Sequence, residues 1–410
     1  MKKIITCTGY GNSGSSAATD FLREFSNVNS IGSNFEFTFL HENDGIADLE
    51  YNFTEGHRLK TDLAVKRFIK FIKSIKHQYN PYFNNKFYDL TIEYLNNLNL
   101  CEWKGWWHRA FEVDDDFYRK RKFYDYAKFS YNIKNHKNKY NLYEPDKWRP
   151  SYTPFSKQYY RSLWNEEEKA DFIFQTKSYL NSLFSNCSDQ NNSDFLLFDQ
   201  LLPPINPAKY EKYFDYIKTI VVDKDPRDIY FSNKIFWGNR FFPTDNVDVF
   251  IEWFKQTRNS KNNTKNILYI KLEDMIYNYE SSAEKIINFI GLNPSEHCYK
   301  RKFFDPAKSI SNTRLWEKFD IVDKVYDLNL REDLVKIERE LKDFCFDYSN
   351  INFPEKKAKV DFVIEKALSK ADIVIENEKL NLFQFSISLM FSIIRGCYCI
   401  LRQIYHWIKK

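Results

Sequence analysis

Short apolar runs broken by polar turns recur along the chain, and several have the length of strands. Ile4-Ile-Thr-Cys-Thr8, Phe195-Leu-Leu-Phe198, Thr219-Ile-Val-Val222 and Ile267-Leu-Tyr-Ile270 are rich in β-branched or aromatic residues and bounded by turn formers. Val28–Ile31 and Asn34–Leu40 also read as strand material. In the second of these, apolar and polar positions alternate, so Glu36 and Thr38 share one face while Phe35, Phe37 and Phe39 share the other. Helical stretches follow several of the strands: Ala17–Glu24, a segment starting at Pro226, and one ending at Ile286–Leu292 with Gly291 as its cap. Strands alternating with helices predict an α/β fold, a mainly parallel central sheet flanked by helices. Ligands are then expected at the carboxyl ends of the strands.

From about Lys60 to Arg161 the pattern turns helical, aromatic and basic. Lys66, Arg67, Lys70, Lys73 and Lys76 recur on one helix, followed by Trp103, Trp106, Trp107 and His108 and then by Tyr118–Phe123. A helical insertion over about 60–165 is predicted, either as a lid offering cations and aromatic faces to an acceptor or as solvated helices with buried rings. Residues 349–410 read as a helical tail. Asp361–Ile375 has helical periodicity, and Leu380–Ile408 is largely apolar, with a polar stripe in which Asn381, Ser388, Arg395, Arg402 and, just beyond it, Lys409 recur every seven residues. The arginines argue against a membrane span. The expectation is an interfacial helix on a membrane surface, or one packed on the domain or on a second subunit.

Composition narrows the class. The chain has 410 residues, 43% of them apolar and 18% aromatic, so it folds around a substantial core, in one large domain with appendages or in two domains. A net charge of +5 from 61 basic and 56 acidic residues argues against nucleic acid as the main ligand. The 7 cysteines are dispersed, without a CxxC pair or zinc-ligand spacing, which fits a reduced intracellular protein. The chain enters its first strand after Met-Lys-Lys, leaving no space for the apolar core of a signal peptide, so a cytoplasmic setting is expected.

The candidate chemistry lies at two strand ends. Gly9-Tyr-Gly-Asn-Ser-Gly-Ser-Ser16 follows the first strand and leads into a helix, a spacing like that of a Walker-type loop whose lysine has become Ser15. Backbone N–H groups of Gly11, Asn12, Ser13, Gly14, Ser15 and Ser16, with the three serine hydroxyls, would cradle a phosphate or sulfate. A plain structural turn is the alternative. Without the lysine, ordinary nucleoside triphosphate hydrolysis is disfavoured. At the second strand end, Asp223-Lys-Asp-Pro-Arg-Asp-Ile-Tyr-Phe-Ser232 delivers Lys224 and Arg227, with Ser232 about two turns along the next helix, as a second anion pocket.

With both pockets in view, the chain resembles the sulfotransferases that use 3′-phosphoadenosine 5′-phosphosulfate, most nearly bacterial carbohydrate sulfotransferases, which share the P-loop NTPase-like fold. Four stretches carry the likeness in order: the first strand, cradle and helix; Val221–Ser232; Lys271-Leu-Glu-Asp274 with Phe289–Leu292; and Phe304–Trp316. They span residues 1–348. The resemblance implies that the cradle holds the 5′-phosphosulfate, that Lys224 and Ser232 bind the 3′-phosphate with Arg227 nearby, and that Ser309, Asn312 and Arg314 contact the nucleotide. It implies Glu36 as the base. The chain departs from the family at Asn12, where a lysine or arginine is usual, and at Lys224, usually arginine; Arg58, Lys60, Arg240 or Arg314 could supply the missing cation.

The expected reaction passes a sulfuryl group to a carbohydrate hydroxyl, on a capsular or lipopolysaccharide-type glycan. Glu36 takes the hydroxyl proton, with His41 or His57 as rival bases; adenosine 3′,5′-bisphosphate leaves, and no metal takes part. The rival readings are a P-loop kinase acting on a nucleotide or sugar, and a catalytically degenerate nucleotide- or glycan-binding relative. Against the kinase, no clear acidic metal-binding strand is read from the sequence.

Overall fold

The computed structural model describes residues 2–32, 35–105, 156–187, 193–237, 241–259, 264–318, 330–349 and 351. Trp106, Trp107, His108 and Tyr118–Phe123 of the predicted insertion, Arg240, and the tail from residue 352 lie outside them. The chain divides into two units, Met1–Lys224 with Thr257–Ala307 and Asp225–Gln256 with Lys308–Lys410.

The first unit is built on strands that the apolar runs predict. In chain order it holds β1 (Lys3–Gly9), α1 (Ser16–Leu22), β2 (Val28–Ser30), α2 (Ile46–Glu55), α3 (Arg58–Tyr79), α4 (Phe87–Asn97), β3 (Cys101–Gly105), β4 (Ser156–Tyr160), α5 (Glu166–Ser185), β5 (Phe195–Asp199) and β6 (Ile217–Asp223). The fold is α/β. Five strands form one all-parallel sheet in the order β2-β5-β1-β6-β7, where β7 is Ile267–Lys271. β1 is central and buried on both faces from Ile4 to Gly9, and it pairs in parallel with β5 and with β6. Such double coverage explains why every position from Ile4 to Gly9 is buried, including Thr6 and Thr8, instead of alternating residues facing solvent. Helices flank the sheet: α1 packs on β1 and β5, and two helices that follow β7, Leu272–Tyr277 and Tyr279–Ile290, pack on β7. The latter ends where the sequence predicts, at Gly291 with φ 78°.

Two expectations change. The predicted strand does not form over its described residues, 35–40: apart from one parallel bridge, Glu36 to Asp199, they are unpaired, and His41 N–H already turns back to the Thr38 carbonyl at 3.0 Å. Its alternation survives without the ladder, because Phe37 and Phe39 are fully buried against the Tyr79 and Phe87 rings while Glu36 is exposed. The helical stretch from Lys60 is also interrupted. After α3 and α4 the chain forms β3, which pairs antiparallel with β4, so Trp103 lies on a strand opposite Gln158 rather than on a helix. α5 begins with a capping box in which Asn165 and Glu168 satisfy each other's backbone N–H groups.

The second unit holds α6 (Pro226–Phe236), most of α7 (Val247–Arg258) and α10 (Leu330–Glu340), so numbered because the helices after β7 are α8 (Leu272–Tyr277) and α9 (Tyr279–Ile290). Ile229, Tyr230, Phe250, Phe254, Leu315 and Ile337 form its core. Among the described residues no helix is long and apolar enough to cross a membrane.

Candidate active site

The candidate groups of the first unit meet at the carboxyl edge of the sheet. β1 runs out at Gly9, and the chain turns through Gly11 (φ 82°), Asn12 (φ 47°) and Gly14 (φ 83°) before α1. Three left-handed residues among four fold the loop back over the strand end. The amides of Gly11 to Ser15 make no hydrogen bond to a described residue, whereas Ala17 and Ala18 bond to the Gly14 and Ser15 carbonyls, both at 3.0 Å. The loop thus presents a row of unused donors, the arrangement that suits an anion. The connection leaving β1 goes toward β2 and the one leaving β6 goes toward β7, so the loop opens at the point where the sheet's crossovers diverge.

The three serines separate. Ser13 is buried, and its hydroxyl donates to the Val222 carbonyl at the end of β6 at 2.8 Å, so it braces the loop. Ser15 Oγ accepts from Gln200 Nε2 at 3.1 Å, and Ser16 is exposed. Gly14 has no space for a side chain, since a Cβ there would stand 2.7 Å from Leu272 Cδ2. Gly14→Ala should therefore cost about 1–3 kcal/mol and weaken anion binding. Gly291→Ala, equally left-handed but with nothing within 4 Å of its Cβ, is the control and should cost only about 1 kcal/mol. Urea denaturation with calorimetry on both variants checks this.

Gln200 is the residue that sequence reasoning missed. It sits one position past β5 in a left-handed conformation, φ 56°, and binds four ways. Its N–H donates to the Cys7 carbonyl at 2.8 Å, its Nε2 to Ser15, its Oε1 accepts from Thr8 Oγ1 at 2.6 Å, and its carbonyl accepts from His41 Nε2 at 2.9 Å. Facing a carbonyl, Nε2 of His41 carries the proton, and burial holds this imidazole below its ordinary pKa, so it is neutral with only Nδ1 left to accept. The only available signal was a strand run ending in Asp199-Gln200.

Asp199, an acid at a strand end beside the cradle, was missed as well. It closes β5, the strand next to β1, and is bridged to Glu36, with Phe37 N–H donating to its carbonyl at 2.8 Å. Burial and then the Glu36 charge push its carboxyl up to about 7 from 3.8. The folded state therefore holds a proton that the unfolded chain has lost between these values. Stability should fall as pH rises from about 4 to about 7, by up to about 4 kcal/mol, and level off above. Denaturant titrations across that range on the wild type and on Asp199→Asn, which lacks this slope, test the sign.

On the other side of the loop, Arg258 holds Asp223 in a two-point pair, 3.1 and 2.9 Å, and lies 4.0 Å from the centre of the Tyr10 ring. Lys224 is buried beside it in sequence. Of the candidate replacement cations, Arg58 is exposed at the start of α3, and Lys60 pairs with Glu55 at 3.2 Å.

The second unit carries Arg227, Ser232, Ser309, Asn312 and Arg314. Arg227 is engaged by Asp225 through Nε at 3.0 Å and Nη2 at 2.7 Å, by Glu338 at 3.2 Å, and by the Trp316 ring face at 4.4 Å. Ser232, buried on α6, donates to the Ile229 carbonyl at 3.2 Å. Asp228 accepts the backbone N–H groups of Arg314 and Leu315, at 3.0 and 2.6 Å, and so ties the segment after Asn312 to α6. Arg314 itself pairs with Glu317. Ser309 and Asn312 end the short helical turns Pro306–Ser309 and Ile310–Asn312, with Asn312 exposed.

Among the described residues no group of three or more His, Cys, Asp or Glu has the arrangement of a metal site. Comparison of the chain with protein-family models and with curated proteins finds no match.

Proposed function

We propose that this chain is a sulfotransferase that takes the sulfuryl group from 3′-phosphoadenosine 5′-phosphosulfate and passes it to a hydroxyl of a carbohydrate. The observation that carries the reading is the Gly11–Ser15 loop: unused N–H donors after the central strand, no lysine among them, and an exposed carboxylate, Glu36, bridged to the end of the adjacent strand. Sulfuryl transfer asks for just these parts, donors for the charged leaving group and a base for the acceptor, with little covalent help. Exposed Tyr51, Trp103 and Trp164 in the same unit give an acceptor glycan aromatic faces to stack on. Lys224 is the cation assigned to the 3′-phosphate.

A kinase acting on a nucleotide or sugar is the second reading, and Asp199 favours it, because an acid ending the strand beside a phosphate loop is where such enzymes hold Mg²⁺. Calorimetry with adenosine 3′,5′-bisphosphate, 5′-AMP and ATP, with and without Mg²⁺, separates the two. Selective, metal-independent binding of the bisphosphate that weakens in Lys224→Ala is the expected result; Mg²⁺-dependent ATP binding would move the assignment to the kinase. Transfer of labelled sulfate to a panel of glycans then distinguishes an active enzyme from a degenerate binder, and sulfation of phenols alone would reject the carbohydrate acceptor.

A further inference from the structure

We propose that Gln200 is a positioning residue for the anion cradle: its side-chain amide turns the Ser15 hydroxyl so that the Ser15 proton points to the bound phosphate or sulfate group. Ser15 holds the place where a Walker-type loop carries lysine, so a hydroxyl fixed as a donor supplies from a neutral group part of what the missing ammonium would give. The inference rests on the reading of Gly11–Ser15 as an anion cradle, which the sulfotransferase and kinase assignments share.

Distances tell the two ends of the amide apart. Thr8 Oγ1 stands 2.6 Å from Oε1, the separation of an O–H···O bond, and Ser15 Oγ stands 3.1 Å from Nε2, that of an N–H···O bond. Reversing the amide would put a nitrogen at the short end and an oxygen at the long one, a poorer match at both. An amide oxygen only accepts, so Thr8 gives it a proton; an amide nitrogen only donates, so Ser15 Oγ receives one. A hydroxyl that accepts on one side has its own hydrogen left for another partner. The order of donation therefore runs from the fully buried Thr8 to Gln200, from Gln200 to Ser15, and from Ser15 into the loop.

The backbone of residue 200 is held for this task. Its φ of 56° is disfavoured for any residue with a Cβ, and it is pinned from both sides, by its N–H on the Cys7 carbonyl at 2.8 Å and by His41 Nε2 on its own carbonyl at 2.9 Å. That conformation carries the side chain across the end of β1 to the loop. Of the loop's three hydroxyls, Ser13 is spent on the Val222 carbonyl and Ser16 is exposed, so the Ser15 hydroxyl is the one held in a fixed direction. It adds one directed O–H donor to the row of N–H donors from Gly11 to Ser15.

The test is a double-mutant cycle on the full chain, read by calorimetry with adenosine 3′,5′-bisphosphate and with Mg²⁺-ATP as probes. Ser15→Ala is expected to weaken binding by about 10-fold or more, since it removes a hydrogen bond to a charged group. Gln200→Met keeps the bulk of the side chain and loses both of its bonds; it should cost about 3- to 10-fold, falling to less than about twofold when Ser15 is already alanine. Gln200→Glu has the same shape but two acceptors, so Ser15 must donate to residue 200 and turn its lone pairs to the ligand. Its loss should exceed that of Gln200→Met and shrink in the Ser15→Ala background to the effect of the added charge. A merely structural role for Gln200 would lower affinity by the same factor with and without the Ser15 hydroxyl, so additive losses overturn the inference. Should the Gln200 variants fail to fold, Thr8→Val releases the amide from its other end, and the same dependence on Ser15 is expected of it, with additivity again the contrary result. Coupling seen with Mg²⁺-ATP alone leaves the inference standing and removes the sulfotransferase reading; additive losses with the bisphosphate do the reverse. A wild type that binds neither probe overturns both.

Discussion

Glu36→Gln is expected to lower sulfate transfer by about 10²–10⁴-fold while leaving the affinity for adenosine 3′,5′-bisphosphate within about threefold of wild type. Geometry separates the two effects. The carboxylate of Glu36 is exposed and bonds to no described residue, and what attaches the segment to β5 is backbone, Phe37 N–H on the Asp199 carbonyl at 2.8 Å. Glutamine keeps that bond and the shape of the side chain, so the fold and the cradle are unchanged and only a proton acceptor is lost. The cradle's donors come from Gly11–Ser15, one strand away. Direct assay of labelled sulfate transfer, with calorimetric titration of the bisphosphate, measures both quantities on one preparation. Retained transfer would hand the base to His41, and then only through Nδ1, because Nε2 is spent on the Gln200 carbonyl.

The sequence reading reached the sheet more easily than the site. Central strands such as β1 and β6 are legible because burial on both faces demands short, buried runs rich in β-branched residues, and Gly291 is legible because a left-handed cap leaves few other residues available. Asn34–Leu40 carries a strand pattern in the sequence, yet its described residues, 35–40, form no strand: Phe37 and Phe39 need a core, and period-two alternation reports burial rather than hydrogen-bond pairing. Gln200 and Asp199 were hidden for a different reason. Their roles come from partners about 160 to 190 positions away in sequence, Glu36, His41, Thr8 and Ser15, and no local pattern encodes such a meeting. Ser13 carries a second role the sequence does not show, since its hydroxyl donates to the end of β6 and braces the loop.

Arg227 brings out the same distinction between recognising a residue and knowing what it does. The motif suggests a nucleotide contact, but in the second unit its guanidinium sits with side-chain exposure of 9% against an Asp225 carboxylate that is fully buried. Burial alone would push the Arg227 pKa down, and the Asp225 carboxylate more than reverses this, holding the guanidinium above its ordinary value. Asp225 does several further jobs: it caps α6 through the Arg227 N–H at 2.9 Å and accepts the Phe346 N–H at 2.8 Å. Arg227→Ala would remove the cation and the packing on Trp316 while leaving Asp225 charged and buried, so a loss of about 3–5 kcal/mol is expected. The double variant Asp225→Asn/Arg227→Met, which removes both charges and keeps an apolar stem over Trp316, should recover a large part of that loss. Urea unfolding of the wild type, the single and the double variant measures the coupling. A single variant as stable as wild type but unable to bind the bisphosphate would show that the guanidinium serves the ligand rather than the fold.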